Sequence, residues 1–342
     1  MKHKTFFWFF LPTGLAMLLF IALPIVSVVL QSLFVEHEAV LAVVENCGPF
    51  GCKQETTIDQ SATEALRAAS PLGQFAGLDI YFNRGHLATA EVADAWRTRS
   101  GLGSFLATIN NLPFYRAMSF TLVYTFTVTP LLIMLGFAIA VGVNSLHRHL
   151  KGLVIFFSLL PMIVTPLIGS LILFWMIDSR GILGSAIQWL ADDPTLSLKA
   201  STGLTWAMLI VYGVWHSAPF AFVVFYAGLQ TLPKDTLESA MIDGASRWEQ
   251  IRYVVIPHLM PLVTFVMLIQ LMDNFRVLEP IVGFSAEAHA TSLSWIILND
   301  LGGETRLLSS AAATSVLTII GVSILLSPVL VRTWRDFHSK AE

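Results

Sequence analysis

Six stretches of the chain are apolar and poor in charge: Trp8–Leu33, Ala117–Asn144, Leu153–Ile177, Gly203–Gln230, Leu259–Gly283 and Ser309–Val331. A helix needs about 20 apolar residues to cross a hydrocarbon core. Lipid offers no partner to backbone N–H and C=O groups, so a crossing segment must pair them internally. The pattern therefore predicts an all-α membrane protein with six transmembrane helices. Pro12, Pro24, Pro130, Pro161, Pro166, Pro219 and Pro328 lie inside these runs or near their ends, where membrane helices tolerate them. The polar intervals divide the chain into an N-terminal segment with the first helix (1–33), an extracytoplasmic segment (34–116) and a five-helix core (117–342). The core carries a cytoplasmic loop at 232–258.

Composition agrees with the pattern: 55% of residues are hydrophobic and 13% charged, against about 25% charged in soluble domains. The formal net charge of −3 gives no reason to expect nucleic acid as a partner. Lys and Arg set the orientation. With the N-terminus inside, the cytoplasmic segments hold Lys2, Lys4, Arg148, Lys151, Lys234, Arg247, Arg252, Arg332, Arg335 and Lys340. The two short outer loops hold only Arg180, Lys199 and Arg306. This bias predicts that both termini are cytoplasmic. The first run is longer than a signal-peptide core and no small-residue cleavage site follows it, so an uncleaved anchor is expected.

The outer segment 34–116 is polar and mixed in sign, and a small helical cap is expected there. It holds the only two cysteines, in "NCGPFGC". Cys47 and Cys52 fall on the side where disulfides persist, and Gly48, Pro49 and Gly51 permit the turn that joins them. A disulfide is expected on that ground, with a pair of free thiols as the alternative. No metal site is expected, because no further Cys is available and His37 is the only nearby His.

The loop between the fourth and fifth runs contains "ESAMIDGASRWEQIRYVVIP", Glu238–Pro257. Its chemistry predicts a first helix over Lys234–Ile242, with Asp235 and Glu238 near the positive end of its dipole. Gly244 permits a tight turn. Ser246 with Glu249 three residues on reads as a capping box opening a second helix. Pro257 is expected to end that helix or to set its entry into the fifth span. An amphipathic helix lying on the bilayer would account for Trp248, Ile251 and the cations. It would not account for the run of small residues with Gly at this offset.

"ESAMIDGA" followed by "VVIP" resembles the EAA loop of ABC importer permeases, in which a Glu, two small residues and a Gly six positions later precede Ile-x-Leu-Pro. Here these are Glu238, Ser239, Ala240 and Gly244, with Val255, Ile256 and Pro257 closing. Ser239 stands for the usual Ala and Ile256 for the usual Leu. "AGLQTLP" (Ala227–Pro233) and Asp243 are also typical. "SLLPMIVTPLIGSLILFWMID" (Ser158–Asp178), "GLDIYF" (Gly77–Phe82) and "FRVLEPIVGFS" (Phe275–Ser285) resemble the carbohydrate branch, the maltose and glycerol-phosphate permease group. The interval between Phe82 and Phe114 is longer than usual.

The resemblance implies a type I importer permease fold in the bacterial inner membrane, with no catalytic role for this chain. It implies two ATPase subunits that bind ATP and Mg, a second permease subunit of different sequence, and an extracytoplasmic solute-binding protein. The loop would be the coupling helix that seats on the ATPase. Ser239, Ala240, Gly244 and Ala245 would allow close docking, with Pro257 closing the motif. Glu238 and Asp243 would offer charge-assisted contacts. The chain lacks a GxxxxGK[ST] loop, in keeping with an energy source on another chain.

Polar groups inside the membrane are functional candidates. The fifth run holds Gln270, Asp273, Asn274 and Arg276, with Glu279 near its end. Positions 270, 273 and 274 share a helical face, so Gln270, Asp273 and Asn274 are the expected contacts of a polyhydroxylated solute. A purely structural reading pairs Asp273 with Arg276 instead. Trp215, with His216 beside it in the fourth run, offers an aromatic face to a sugar ring, although Trp also serves in packing. Asp178 and Arg180 read as boundary residues, His147 and His149 beside Arg148 as part of a solvated charged loop, and "TSLSWIILNDL" (Thr291–Leu301) as a re-entrant or interfacial helix. The competing function is an ion-coupled secondary transporter of a small polar solute, a class that often shows internal repeats and midplane carboxylates. No clear repeat is present.

Overall fold

The computed structural model describes residues 3–37, 40–48, 51–70, 72–302 and 306–338. Among them, Phe7–Gln31, Pro113–Ser145, Thr202–Gln230, Arg247–Phe275 and Leu308–Arg335 are helices long and apolar enough to cross a membrane. The third apolar run is not one rod. It forms two helices, Arg148–Ile163 and Pro166–Met176, bent by 96°. Val164 and Thr165 between them are extended, with ψ of 129° and 144°. The ring of Pro166 disfavours α geometry in the residue before it, so the break falls here.

The fifth run also differs from expectation. Of the two roles open to Pro257, it does not end the second loop helix but stands where that helix enters the fifth span; helix continues from Arg247 to Phe275, ending eight residues before Gly283. A π turn at Ile251–Val255, closed by the Ile256 N–H on the Ile251 carbonyl, lies immediately ahead of Pro257. An identical turn at Leu18–Ala22 lies ahead of Pro24. In both cases one wide turn makes room for a ring that has no N–H to donate, and the helix goes on.

Residues fall into two compact units, Met1–Arg116 with Ile296–Ile319, and Ala117–Trp295 with Ile320–Glu342. In the first unit the expected helical cap is only partly helical. Gln60–Ala69, Asp79–Phe82, Thr89–Arg97 and Leu102–Asn110 are helices. Leu41–Gly48 and Gly51–Ile58, however, form an antiparallel hairpin, and Phe34–Val35 pairs with Gln74–Phe75. The β-branched residues of 41–58 favour a pleated ribbon over a helix. The hairpin register sets Cys47 opposite Cys52, but the side chains of both lie outside the described residues. Ile80 and Tyr81 of "GLDIYF" pack with Leu33, Ala313, Val316 and Leu317, and the Tyr81 hydroxyl shares a 2.6 Å hydrogen bond with Ser32. Glu36 accepts a 2.7 Å bond from the Ser309 N–H, next to the start of the helix Leu308–His338. A carboxylate is favoured there by the helix dipole.

In the second unit the core includes Phe120, Val128, Leu132, Leu209, Phe222, Phe225, Leu259 and Val266, all fully or nearly fully buried. Small residues let helices approach closely, the usual device where lipid removes the hydrophobic drive for association. Gly136 lies against Ala221 and the Phe222 backbone, and Gly228 against Leu259 and Leu262. The short helix Glu279–Gly283 packs on Pro166–Met176, with Gly283 against Ser170.

At the end of the broken third span, Asp178 accepts a 2.9 Å ion pair from Lys199, whose Nζ also lies 3.3 Å from the Phe174 ring centroid. Asp178 is thus a tie between segments rather than only a boundary residue. The hydrogen bond from Lys199 is the first cause holding its carboxyl below the ordinary 3.8. A depressed folded value means that the pair contributes fully above the unfolded value and is lost as pH falls through the folded one. Lys199→Met should therefore lower the unfolding temperature in detergent equally at pH 5 and 7. The difference from the parent should shrink below pH 3.8.

Candidate functional site

The polar loop is built by two complementary helix ends. Helix Lys234–Ile242 occupies the residues expected for it. It closes with the Ala245 N–H on the Ala240 carbonyl (2.9 Å) and the Gly244 N–H on the Met241 carbonyl (3.1 Å), the two bonds of a Schellman ending. Gly244 has φ of +81°, the left-handed region that penalises any residue with a Cβ. The next helix opens with the capping box. The Ser246 N–H donates to Glu249 Oε2 at 2.7 Å, and the Glu249 N–H donates to Ser246 Oγ. Gln250 Nε2 adds a 2.8 Å bond to the Ala245 carbonyl. The turn is therefore fixed by hydrogen bonds on both sides of Gly244.

Glu238, Ser239, Asp243 and Gly244 are exposed, and Ala240 and Ala245 partly so. No ion pair engages Glu238 or Asp243 among the described residues. Open space surrounds the position a Gly244 Cβ would take. The sequence reading missed Met241 and Ile242 beside these residues; Ile242 is 86% exposed. Its signal was available, since an isoleucine in a polar loop helix has no core to enter. Pro257 lies beyond the π turn, within the fifth span.

A second feature lies within the unit of residues 117–295 and 320–342, where a cleft of about 560 Å³ opens between the third, fourth and fifth spans. Such a volume is in the range of small-molecule sites. Gln270, Asp273 and Asn274 all line it, as the shared helical face predicts. Their states differ. Gln270 is buried and its amide has no hydrogen-bond partner among the described residues. Asn274 Nδ2 donates to Thr129 Oγ1 at 3.1 Å. Arg276 Nη2 donates to Asp273 Oδ1 at 2.9 Å, the neutralising pair of the structural reading. Trp215 is 47% exposed and does not line the cleft. It lies on a different stripe of the fourth span from Tyr212, His216 and Phe220, which recur every four residues and do line it.

The fourth span also repairs the break in the third. A helix end leaves carbonyls without intrahelical donors. His216 Nε2 donates to the Val164 carbonyl at 3.1 Å, and the Tyr212 hydroxyl donates to the Pro166 carbonyl at 2.7 Å. Sequence reasoning had no view of Tyr212, because the break that gives it a partner was not foreseen. Ser217, Tyr124 and Ser294 are further lining residues without a sequence signal.

Residues 99–334 match the family described as the inner membrane component of binding-protein-dependent transport systems. The chain belongs to this family. It is a multi-pass membrane protein with the helical architecture of that family. A probable ABC transporter permease protein, y4oQ of Sinorhizobium fredii, is 32% identical over 164 residues, 47% of this chain and 52% of the relative. The trehalose transport system permease protein SugA of Mycobacterium tuberculosis is 27% identical over 184 residues, 53% of this chain and 57% of the relative. The chain thus spans about half the length of these curated relatives. Among solved structures, a bacterial ABC transporter involved in the import of the acidic polysaccharide alginate matches with a TM-score of 0.56 at 19% identity. The match covers 81% of this chain and 97% of that one, and shows the shared fold.

Proposed function

We propose that this chain is a membrane-spanning permease subunit of an ATP-driven, binding-protein-dependent importer for a sugar, sugar derivative or polyol. The observation that carries the reading is the loop at 234–250. It is a short rigid helix ended by a left-handed glycine, with small residues and two carboxylates, Glu238 and Asp243, that have no ion-pair partner among the described residues, on its exposed surface. A helix that must transmit movement needs such stiffness, and its hydrogen bonds on both sides of Gly244 supply it. The second loop helix runs without interruption into the fifth span, so displacement of the loop is carried to Gln270, Asp273 and Asn274. In this reading two ATPase subunits hold ATP and Mg and receive the loop. A second permease completes the pathway, and an extracytoplasmic protein delivers solute. Both termini face the cytoplasm across the bacterial inner membrane, and Gln270, Asp273 and Asn274 meet the solute in the cleft.

The test is reconstitution with the ATPase and binding protein in vesicles. Uptake should require ATP inside and be indifferent to ion gradients. Transport by the chain alone, driven by an ion gradient, would establish the secondary-transporter alternative instead. Asp273→Ala should reduce uptake at least several-fold while leaving assembly intact; unchanged uptake would remove this residue from the solute path but leave the importer reading standing.

A further inference from the structure

The cleft holds an uneven balance of charge. Its lining includes three acidic or basic side chains: Asp273, Arg276 and Glu279. Arg276 is held by Asp273 at 2.9 Å, so that pair presents little net charge to a solute. Glu279 lines the cleft and is exposed, with no cationic partner among the described residues. His216 gives one ring nitrogen to the Val164 carbonyl and so adds no dedicated anion donor. The remaining polar lining is neutral: the unpartnered, nine-tenths buried Gln270 amide, Ser217, Ser294 and the tyrosine hydroxyls. An amide offers both donors and acceptors, which suits hydroxyl groups.

We infer that the cleft is a charge filter: Glu279 biases it toward neutral polyhydroxylated solutes and against anionic ones such as sugar phosphates and uronates. An anion entering the cleft would meet the Glu279 carboxylate and would have to compete with Asp273 for Arg276. Like-charge juxtaposition of this kind is a common source of specificity. The inference rests on the cleft being the solute path and narrows the substrate class of that same site. It divides the carbohydrate group, which includes carriers of both neutral sugars and glycerol phosphate.

The probes are trehalose and trehalose 6-phosphate, a neutral disaccharide and its anionic derivative. Retention of each by the purified permease–ATPase complex, without binding protein, is measured by equilibrium dialysis for the parent and for Glu279→Gln. Trehalose should be retained in preference by the parent, and Glu279→Gln should raise the phosphate-to-neutral ratio roughly ten-fold at low salt, the scale of one unscreened charge across a small cleft. The effect should shrink at high salt. Equal retention of the two probes by the parent, retention of neither, or a ratio unchanged in Glu279→Gln would each overturn the filter. ATP-dependent uptake by the reconstituted system is scored separately, so that failure of the importer reading is distinguished from failure of the filter.

Discussion

Gly244→Asp should abolish ATP-driven uptake while the protein still inserts and accumulates in the membrane. Gly244 has φ of +81°, and a non-glycine residue in that region costs about 1–2 kcal/mol. The strain is local to the turn, because nothing crowds the place where a Cβ would sit. The effect should therefore fall on the loop and not on packing between spans. The Ala245→Ala240 and Gly244→Met241 backbone bonds would loosen, and a further carboxylate would join Glu238 and Asp243 on the exposed surface of the loop. Asn enters the left-handed region about as readily as Asp but adds no charge to the loop, so Gly244→Asn should retain measurable uptake. Uptake in proteoliposomes, normalised to the amount of complex, makes the comparison. Normal transport by Gly244→Asp would remove the coupling role of the loop.

The second large effect is expected at Gly136, where the cause is opposite. A Cβ there would come within 2.6 Å of Ala221 Cβ and 2.8 Å of the Phe222 amide nitrogen. The nearest atoms belong to the backbone or its first side-chain carbon, so no flexible side chain can swing away. Gly136→Val should force the second and fourth spans apart, a destabilisation of about 3 kcal/mol or more by overpacking. The result should be a large drop in the folded fraction recovered in detergent. Gly142→Val is the internal control, since it lies on the same helix with open space around it. Equal recovery of the two variants would show that the close approach of these helices does not support the fold.

Much of the loop was legible in the sequence because its structure is local. The helix Lys234–Ile242, the turn at Gly244 and the Ser246–Glu249 box follow from dipole, capping and glycine chemistry within a few residues of one another. The cleft was half legible. The common face of Gln270, Asp273 and Asn274 follows from helical spacing, and all three line one cavity. Trp215 was singled out for its ring chemistry, yet it is not among the residues that line this cavity, whereas Tyr212 and His216 on the neighbouring stripe are. The hairpin at 41–58 was missed, since a short β-branched stretch beside a glycine turn carries no strong period.

The sequence by itself determined that the chain crosses a membrane several times, which apolar runs are involved, and which loop carries the family motif. Those properties depend on apolar run length and on neighbours close along the chain. Tertiary structure alone decided where the spans bend and which groups meet. Seven prolines in or near the apolar runs look alike in sequence. Pro130, Pro219 and Pro328 stay inside continuous helices, while the chain breaks ahead of Pro166. The difference is that the carbonyl freed at Val164 finds a donor in His216 on another span, where Tyr212 adds a bond to the Pro166 carbonyl at the start of the next helix. A break in the bilayer persists only where its backbone groups find partners, and the side chain that reaches the Val164 carbonyl lies 52 residues away along the chain.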